Sequence, residues 1–257
     1  MSEPASCRND ESNSSPQKPL NTILGQEGDL KENCGENMSD AVIFDWDGTI
    51  ADTRQAVVTS FQEALRSIGV QVEDAFIEKR IGIGAINTFK EALTVAEKPF
   101  DQRTLEKLVE QKIAAQLNLA DTVTLFDGAI ELLDSLRSRV LVGLASMNNL
   151  KVILNLLKKM NLTKYFRVVI TADEVERPKP CPDIFLESAR RLRCLPERCV
   201  VIEDSVFGAE AAQRAGMKCI AVPTGAYTRR QLEKMKPDLV VNSLKEKQRI
   251  LDFILRS

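Results

Sequence analysis

From Ala41 onward the chain repeats one pattern, a short apolar run followed by a stretch with helical periodicity. The runs are Ala41-Val42-Ile43-Phe44, 139–144, 166–170, 199–202, 218–222 and a weaker one at 238–241. Helical patterns fill 128–137, 149–160, 182–192, 207–214 and 243–255. A strand that is apolar at consecutive positions has no wet face, so it belongs inside a sheet covered on both sides. Strands alternating with helices therefore predict an α/β fold, a Rossmann-like parallel sheet with helices on both faces.

One segment breaks the rhythm. Residues 53–68 read as an amphipathic helix ending at Gly69, and 73–119 are helical in pattern throughout. A parallel crossover needs only roughly a dozen residues, so this stretch is too long to be one. It is expected to be an inserted all-helical subdomain, 54–122, leaving a core domain of 41–53 and 123–257. Residues 1–40 hold 3 Lys+Arg against 8 Asp+Glu, with many Ser, Asn, Gly and Pro. Such a stretch buries too little apolar surface to offset its ordering entropy and is expected to be a disordered tail. Met38 stands just before the first strand as an alternative start.

Composition excludes several chemistries. There is no histidine among 257 residues, which removes Ser-His-Asp and Cys-His catalysis and histidine-bearing zinc sites. The six cysteines form no Cys-x-x-Cys pair and are expected to be reduced thiols of a cytoplasmic protein. A net charge of −2 gives no case for nucleic acid or an anionic membrane as partner, and no apolar run is long enough to span a bilayer. Oligomeric state is not readable from these features.

Open parallel sheets place their sites beyond the carboxyl ends of the strands. Asp45-Trp46-Asp47 follows the first strand, Ser146 the second run, Lys179 lies in the loop after the third, and Glu203-Asp204 follow the fourth. These residue types suit a phosphate monoester. A carboxylate nucleophile meets a dianion, so the repulsion must be cancelled by a Mg2+ on acidic ligands and a positioned lysine. Asp45 and Asp204 suit such a hard cation. Attack by Asp45 would give an aspartyl-phosphate, splitting one displacement into two. Asp47 stands two residues on, roughly 6–7 Å along an extended chain. It is placed to protonate the leaving alkoxide and later to activate water. Ser146 can donate to a phosphoryl oxygen, and the prolines at 178 and 180 stiffen the backbone around Lys179.

In this order the residues resemble the haloacid dehalogenase-like hydrolase superfamily. The resemblance covers 41–257 through VIFDWDGTIADT (42–53), LASMN (144–148), RPKPCPDIF (177–185) and VVIEDSVFGAEAAQRAGM (200–217). It implies Asp45 as nucleophile, Asp47 as general acid/base, and Ser146 and Lys179 as phosphate-binding residues. It implies Mg2+ on Asp45, the Asp47 carbonyl and Asp204, with Glu203 behind them. The insert resembles the helical cap of the branch containing phosphoglycolate phosphatases and β-phosphoglucomutases. In the mutases a histidine stands where this chain has Val57, so a phosphatase is expected, with a phosphomutase or a catalytically silent scaffold as alternatives. The cap run 79–84 resembles the glycine turn of phosphoglycolate phosphatase-like members. Lys79, Arg80, Gly82, Gly84 and Arg54 are the candidate specificity residues, and 2-phosphoglycolate or a sugar phosphate the expected small phosphorylated substrate.

Overall fold

The computed structural model describes residues 39–256. The expected disorder of the tail and the alternative start at Met38 lie outside them. Ser39 and Asp40, counted with the tail above, belong to the fold: Ser39 is buried and Asp40 accepts from the Arg198 guanidinium at 2.8 Å.

Six parallel strands form the main sheet in the order β5-β4-β1-β6-β7-β8. They are β1 (Ala41–Phe44), β4 (Leu141–Ser146), β5 (Val168–Thr171), β6 (Cys199–Glu203), β7 (Lys218–Ala221) and β8 (Leu239–Val240). Every residue of β1 is buried, as its uninterrupted apolar run requires. The alternation of side chains sends Val42 and Phe44 to one face, where they pack with helices α5 (Ala129–Leu136), α6 (Leu150–Lys159) and α10 (Lys247–Arg256). Ala41 and Ile43 go to the other face, against α7 (Asp183–Leu192) and α8 (Val206–Arg214). Burying each such aliphatic or aromatic side chain is worth about 1.5–3 kcal/mol, so the two-faced strand is the anchor of the fold.

Register sets the site. Phe44 pairs with Leu144 on one side and Ile202 on the other. The next residue of each strand, Asp45, Ala145 and Glu203, therefore lies level on the carboxyl rim, and Ser146 and Asp204 are one step further.

Helices α1 (Arg54–Arg66), α2 (Asp74–Glu78), α3 (Ala85–Val95) and α4 (Gln102–Asn118) are inserted after β1 and share an apolar cluster of their own. Phe61 and Phe89 meet at its centre with ring centroids 4.8 Å apart. The chain leaves and re-enters the core through a two-stranded antiparallel ribbon, β2 (Ala51–Asp52) on β3 (Thr124–Leu125). A short helix α9 (Arg229–Glu233) precedes β8. Among the described residues no helix is long and apolar enough to cross a membrane.

One local expectation needs correction. Ser146 is the last residue of β4 and not the residue after it; α6 is capped by Asn149, whose side chain accepts from Lys151 N. Cys194, Cys199 and Cys219 are free thiols.

Candidate active site

At the centre of the rim the Lys179 ammonium donates to Oδ1 of Asp45 and to Oε1 of Glu203, both at 2.6 Å. All three side chains are buried. Burial alone would strip the proton from Lys179; the charges of Asp45 and Glu203 outweigh it and hold the ammonium above the usual lysine range. Burial pushes the Asp45 carboxyl well above the ordinary carboxylate range, with Lys179 opposing and Glu203 and Asp47 reinforcing the rise. Asp204 is pushed up likewise, by burial first and then by the charges of Glu203 and Asp45.

The second acid of the motif sits in a different cradle. The chain turns tightly after it, with the amides of Ile50 and Ala51 donating to Trp46 O at 3.2 and 3.1 Å, and Gly48 takes φ +90°. Asp47 Oδ1 accepts from Thr53 Oγ1 at 2.8 Å and from Asn148 Nδ2 at 3.3 Å. Its Oδ2 accepts from Ser146 Oγ at 3.0 Å. One carboxylate is thus tied to a lysine and the other to neutral donors, so a nucleophile and a proton carrier can stand side by side without sharing partners.

A cation fits beside Asp45. Oxygens of Asp45, Glu203 and Asp204 lie within 4.8 Å of one another, and one ammonium, Lys179, is bonded among these three buried carboxylates. Glu203 is already committed: Lys179 takes Oε1, and Ser205 N and Oγ take Oε2 at 2.7 and 2.9 Å. Asp45 and Asp204 are left to face a metal, with Thr49 Oγ1 steadying Asp204 Oδ1 at 3.0 Å. Glycines keep room for Asp204, since a Cβ on Gly225 would stand 1.6 Å, and one on Gly48 2.4 Å, from its Oδ2. Gly225→Ala is therefore expected to destabilise the protein by about 1–3 kcal/mol through overpacking, read by urea unfolding.

Cap and core meet over this rim. Tyr227 Oη donates to Lys79 O at 2.6 Å, and Arg54 Nη2 donates to Gly225 O at 3.1 Å. Gly82 and Gly84, at φ +107° and +84°, bring the cap turn against Ser205 and against Met147 and Pro178. Beneath the turn a cleft is lined by Val57, Phe61, Arg80, Lys112, Asn148 and Asp47. Of the expected specificity residues, Arg80, Gly82 and Gly84 line this cleft, while Arg54 lines a neighbouring one. Arg80 is engaged by Glu91 at 2.6 Å and stacks on Phe76.

Thr49, Thr53, Asn148, Gly225 and Lys112 were not singled out by sequence reasoning. For Lys112 a signal existed: Leu105, Leu108, Lys112 and Ala115 follow helical spacing, placing a lysine in an apolar stripe. Burial pushes its pKa down to about 8, with the charge of Asp47 opposing.

The family described as haloacid dehalogenase-like hydrolase matches residues 42–222. The fructose-1-phosphate phosphatase YqaB of Escherichia coli is 32% identical over 184 residues, 70% of this chain and 95% of that protein. The phosphorylated carbohydrates phosphatase of Thermotoga maritima is 30% identical over 220 residues, 80% of this chain and 99% of that protein. Among solved structures, β-phosphoglucomutase from Clostridium difficile superposes with a TM-score of 0.76 at 27% identity, covering 84% of this chain and 97% of that one.

Proposed function

The chain belongs to the haloacid dehalogenase-like hydrolase family, as a phosphoric monoester hydrolase, and we propose that it is a Mg2+-dependent phosphatase of small sugar phosphates acting through an aspartyl-phosphate on Asp45. The observation that carries this reading is the pair of acids in different hands, Asp45 on Lys179 and Asp47 on Ser146, Thr53 and Asn148.

In the first step an Asp45 oxygen forms a bond to phosphorus as the bond from phosphorus to the leaving oxygen breaks. Asp47 delivers its proton to that oxygen, so an alcohol departs and not an alkoxide. Lys179 and Ser146 hold the phosphoryl oxygens. In the second step Asp47 takes a proton from water as the water oxygen attacks phosphorus and frees Asp45. Asp45, the Asp47 carbonyl and Asp204 would hold Mg2+, with Glu203 behind them. Bound there, it supplies positive charge against the phosphoryl oxygens.

We infer a sugar phosphate over 2-phosphoglycolate because, of the candidate cations Lys79, Arg80 and Arg54 that could meet a carboxylate, the two arginines are held by Glu91 and by Gly225 O, and Lys79 lines neither cleft. Phosphate release from fructose 1-phosphate, other sugar phosphates, 2-phosphoglycolate, nucleotides and pyrophosphate, with Mg2+ or with EDTA, tests the reading. Metal-dependent release led by a sugar phosphate supports it; no turnover with any member and any divalent metal overturns it and favours the silent scaffold. The structural likeness to a β-phosphoglucomutase keeps one rival in view. Conversion of β-glucose 1-phosphate to the 6-phosphate would establish that rival in spite of Val57.

Metal binding has a readout independent of turnover. Millimolar Mg2+ is expected to raise the melting temperature of the wild type, because it relieves the mutual repulsion of Asp45 and Asp204. Asp204→Ala is expected to abolish that rise. An equal rise in the variant would remove Asp204 from the metal site.

A further inference from the structure

We propose that Lys112 and Asn148 form a latch between cap and core that sets the Asp47 carboxylate in its working orientation. Lys112 lies on α4 in the cap, and its Nζ donates across the seam to Asn148 Oδ1 at 2.9 Å. The other end of the same amide, Nδ2, donates to Asp47 Oδ1. Asn148 also reaches Asp47 by a second route: its backbone N donates to Ser146 Oγ at 3.1 Å, and that hydroxyl donates to Asp47 Oδ2.

The chemistry of the groups fixes the amide's direction. An ammonium only donates, so the amide oxygen must face Lys112, and the NH2 is left to face Asp47. Asn149 N also donates to the amide oxygen, at 3.0 Å, so withdrawing α4 from the core leaves the amide held from the core side alone and loosens its grip on Asp47 Oδ1.

The protein holds this lysine against its own stability. Lys112 is 4% exposed, in an apolar stripe, with its ammonium 5.4 Å from the Phe61 ring centroid. Burial brings its pKa down to about 8. Gln116 turns its Oε1 to the same ammonium and leaves its buried Nε2 without a partner. A leucine or methionine would fill the stripe without either penalty, since a buried charge serves packing poorly. Beyond Gln116 of its own helix, the group the ammonium bonds is Asn148 across the seam. Lys112 and Asn148 are positioning residues, acting through Asp47.

The latch rests on Asp47 serving as proton donor, and its test separates the two ideas. The probes are p-nitrophenyl phosphate, whose leaving group departs without help, and phenyl phosphate, whose more basic leaving group needs a proton. The quantity read is kcat/KM with Mg2+, which reports steps up to leaving-group departure. Lys112→Met and Asn148→Ala are each expected to lower the phenyl phosphate value about tenfold or more beyond any fall on p-nitrophenyl phosphate, a fraction of the full effect of a general acid. The double variant is expected to be little worse than either single one, because both act on one path. Lys112→Gln, which keeps a donor, is expected to recover part of the loss and serves if Lys112→Met fails to fold. Equal falls on the two esters, or additive losses, overturn the latch. Asp47→Asn run alongside must itself discriminate between the esters; if it does not, the acid role of Asp47 fails. If it does and the other variants do not, the latch alone fails.

Discussion

Asp45→Asn is expected to lower the rate of phosphate release by at least about 10^4-fold, the scale on which removal of a covalent nucleophile acts. The amide is nearly isosteric with the carboxylate, so geometry around it survives, but its nitrogen or neutral oxygen cannot form the ester to phosphorus. Lys179 keeps Glu203 as partner at 2.6 Å, so the ammonium is not stranded. Burial already works against an ionised Asp45, and the substitution removes that charge from a crowded acidic site. The variant is therefore expected to melt at or above the wild-type temperature in metal-free buffer. Loss of activity with stability retained is the signature of a chemical role, and it is read by steady-state rates beside a thermal melt. Full activity in this variant would end the covalent reading.

Lys179→Met carries the second large effect, and here activity and stability fall together. The lysine is 1% exposed and is bonded to two carboxylates that are buried with it. Removing one partner from a buried charge cluster costs about 3–5 kcal/mol, because the charges left behind lose their compensation. Methionine fills much the same volume, so the loss is electrostatic and not a cavity. Urea unfolding in EDTA is expected to show that loss. Mg2+ is expected to return part of it, since the cation meets the same carboxylates. Turnover is expected to stay low with or without Mg2+, because the phosphoryl group has lost its fixed positive partner. A variant as stable as wild type would mean that Lys179 does not offset buried negative charge in the resting protein.

The rim of acids was legible because parallel strands advertise themselves. Ala41-Val42-Ile43-Phe44 and Cys199-Val200-Val201-Ile202 are apolar at every position and stop at acids, which only a doubly covered strand tolerates. Once these are neighbours in register, Asp45 and Glu203-Asp204 must meet, and the structure pairs them so. The ribbon of Ala51–Asp52 on Thr124–Leu125 was illegible because two residues carry no periodicity. The close approach of Gly225 to Asp204 was illegible for another reason: nothing local marks a glycine whose missing Cβ makes room for a side chain from another loop. Lys112 had a signal in its helical spacing, but the charge at that position reads as solvent-facing until Asn148 is brought opposite it. Arg191 is a parallel case: the basic run Arg190-Arg191 has the look of a solvated helix face, yet the Arg191 side chain is 8% exposed and pairs with Glu174 and Glu187.

The central claim is a covalent phosphate on Asp45, and the most direct measurement is to catch it. Asp47→Asn keeps the nucleophile and removes the base that activates water, so the phosphoenzyme should accumulate. Mixed with p-nitrophenyl phosphate and Mg2+, then quenched and digested, this variant is expected to show a burst of nitrophenolate close to one per protein. The peptide containing Asp45 is expected to gain the mass of one PO3 group, and the doubly substituted Asp45→Asn, Asp47→Asn protein to show neither burst nor added mass. A variant that releases phosphate over many turnovers with no added mass on that peptide, or with the mass on another residue, would contradict the account.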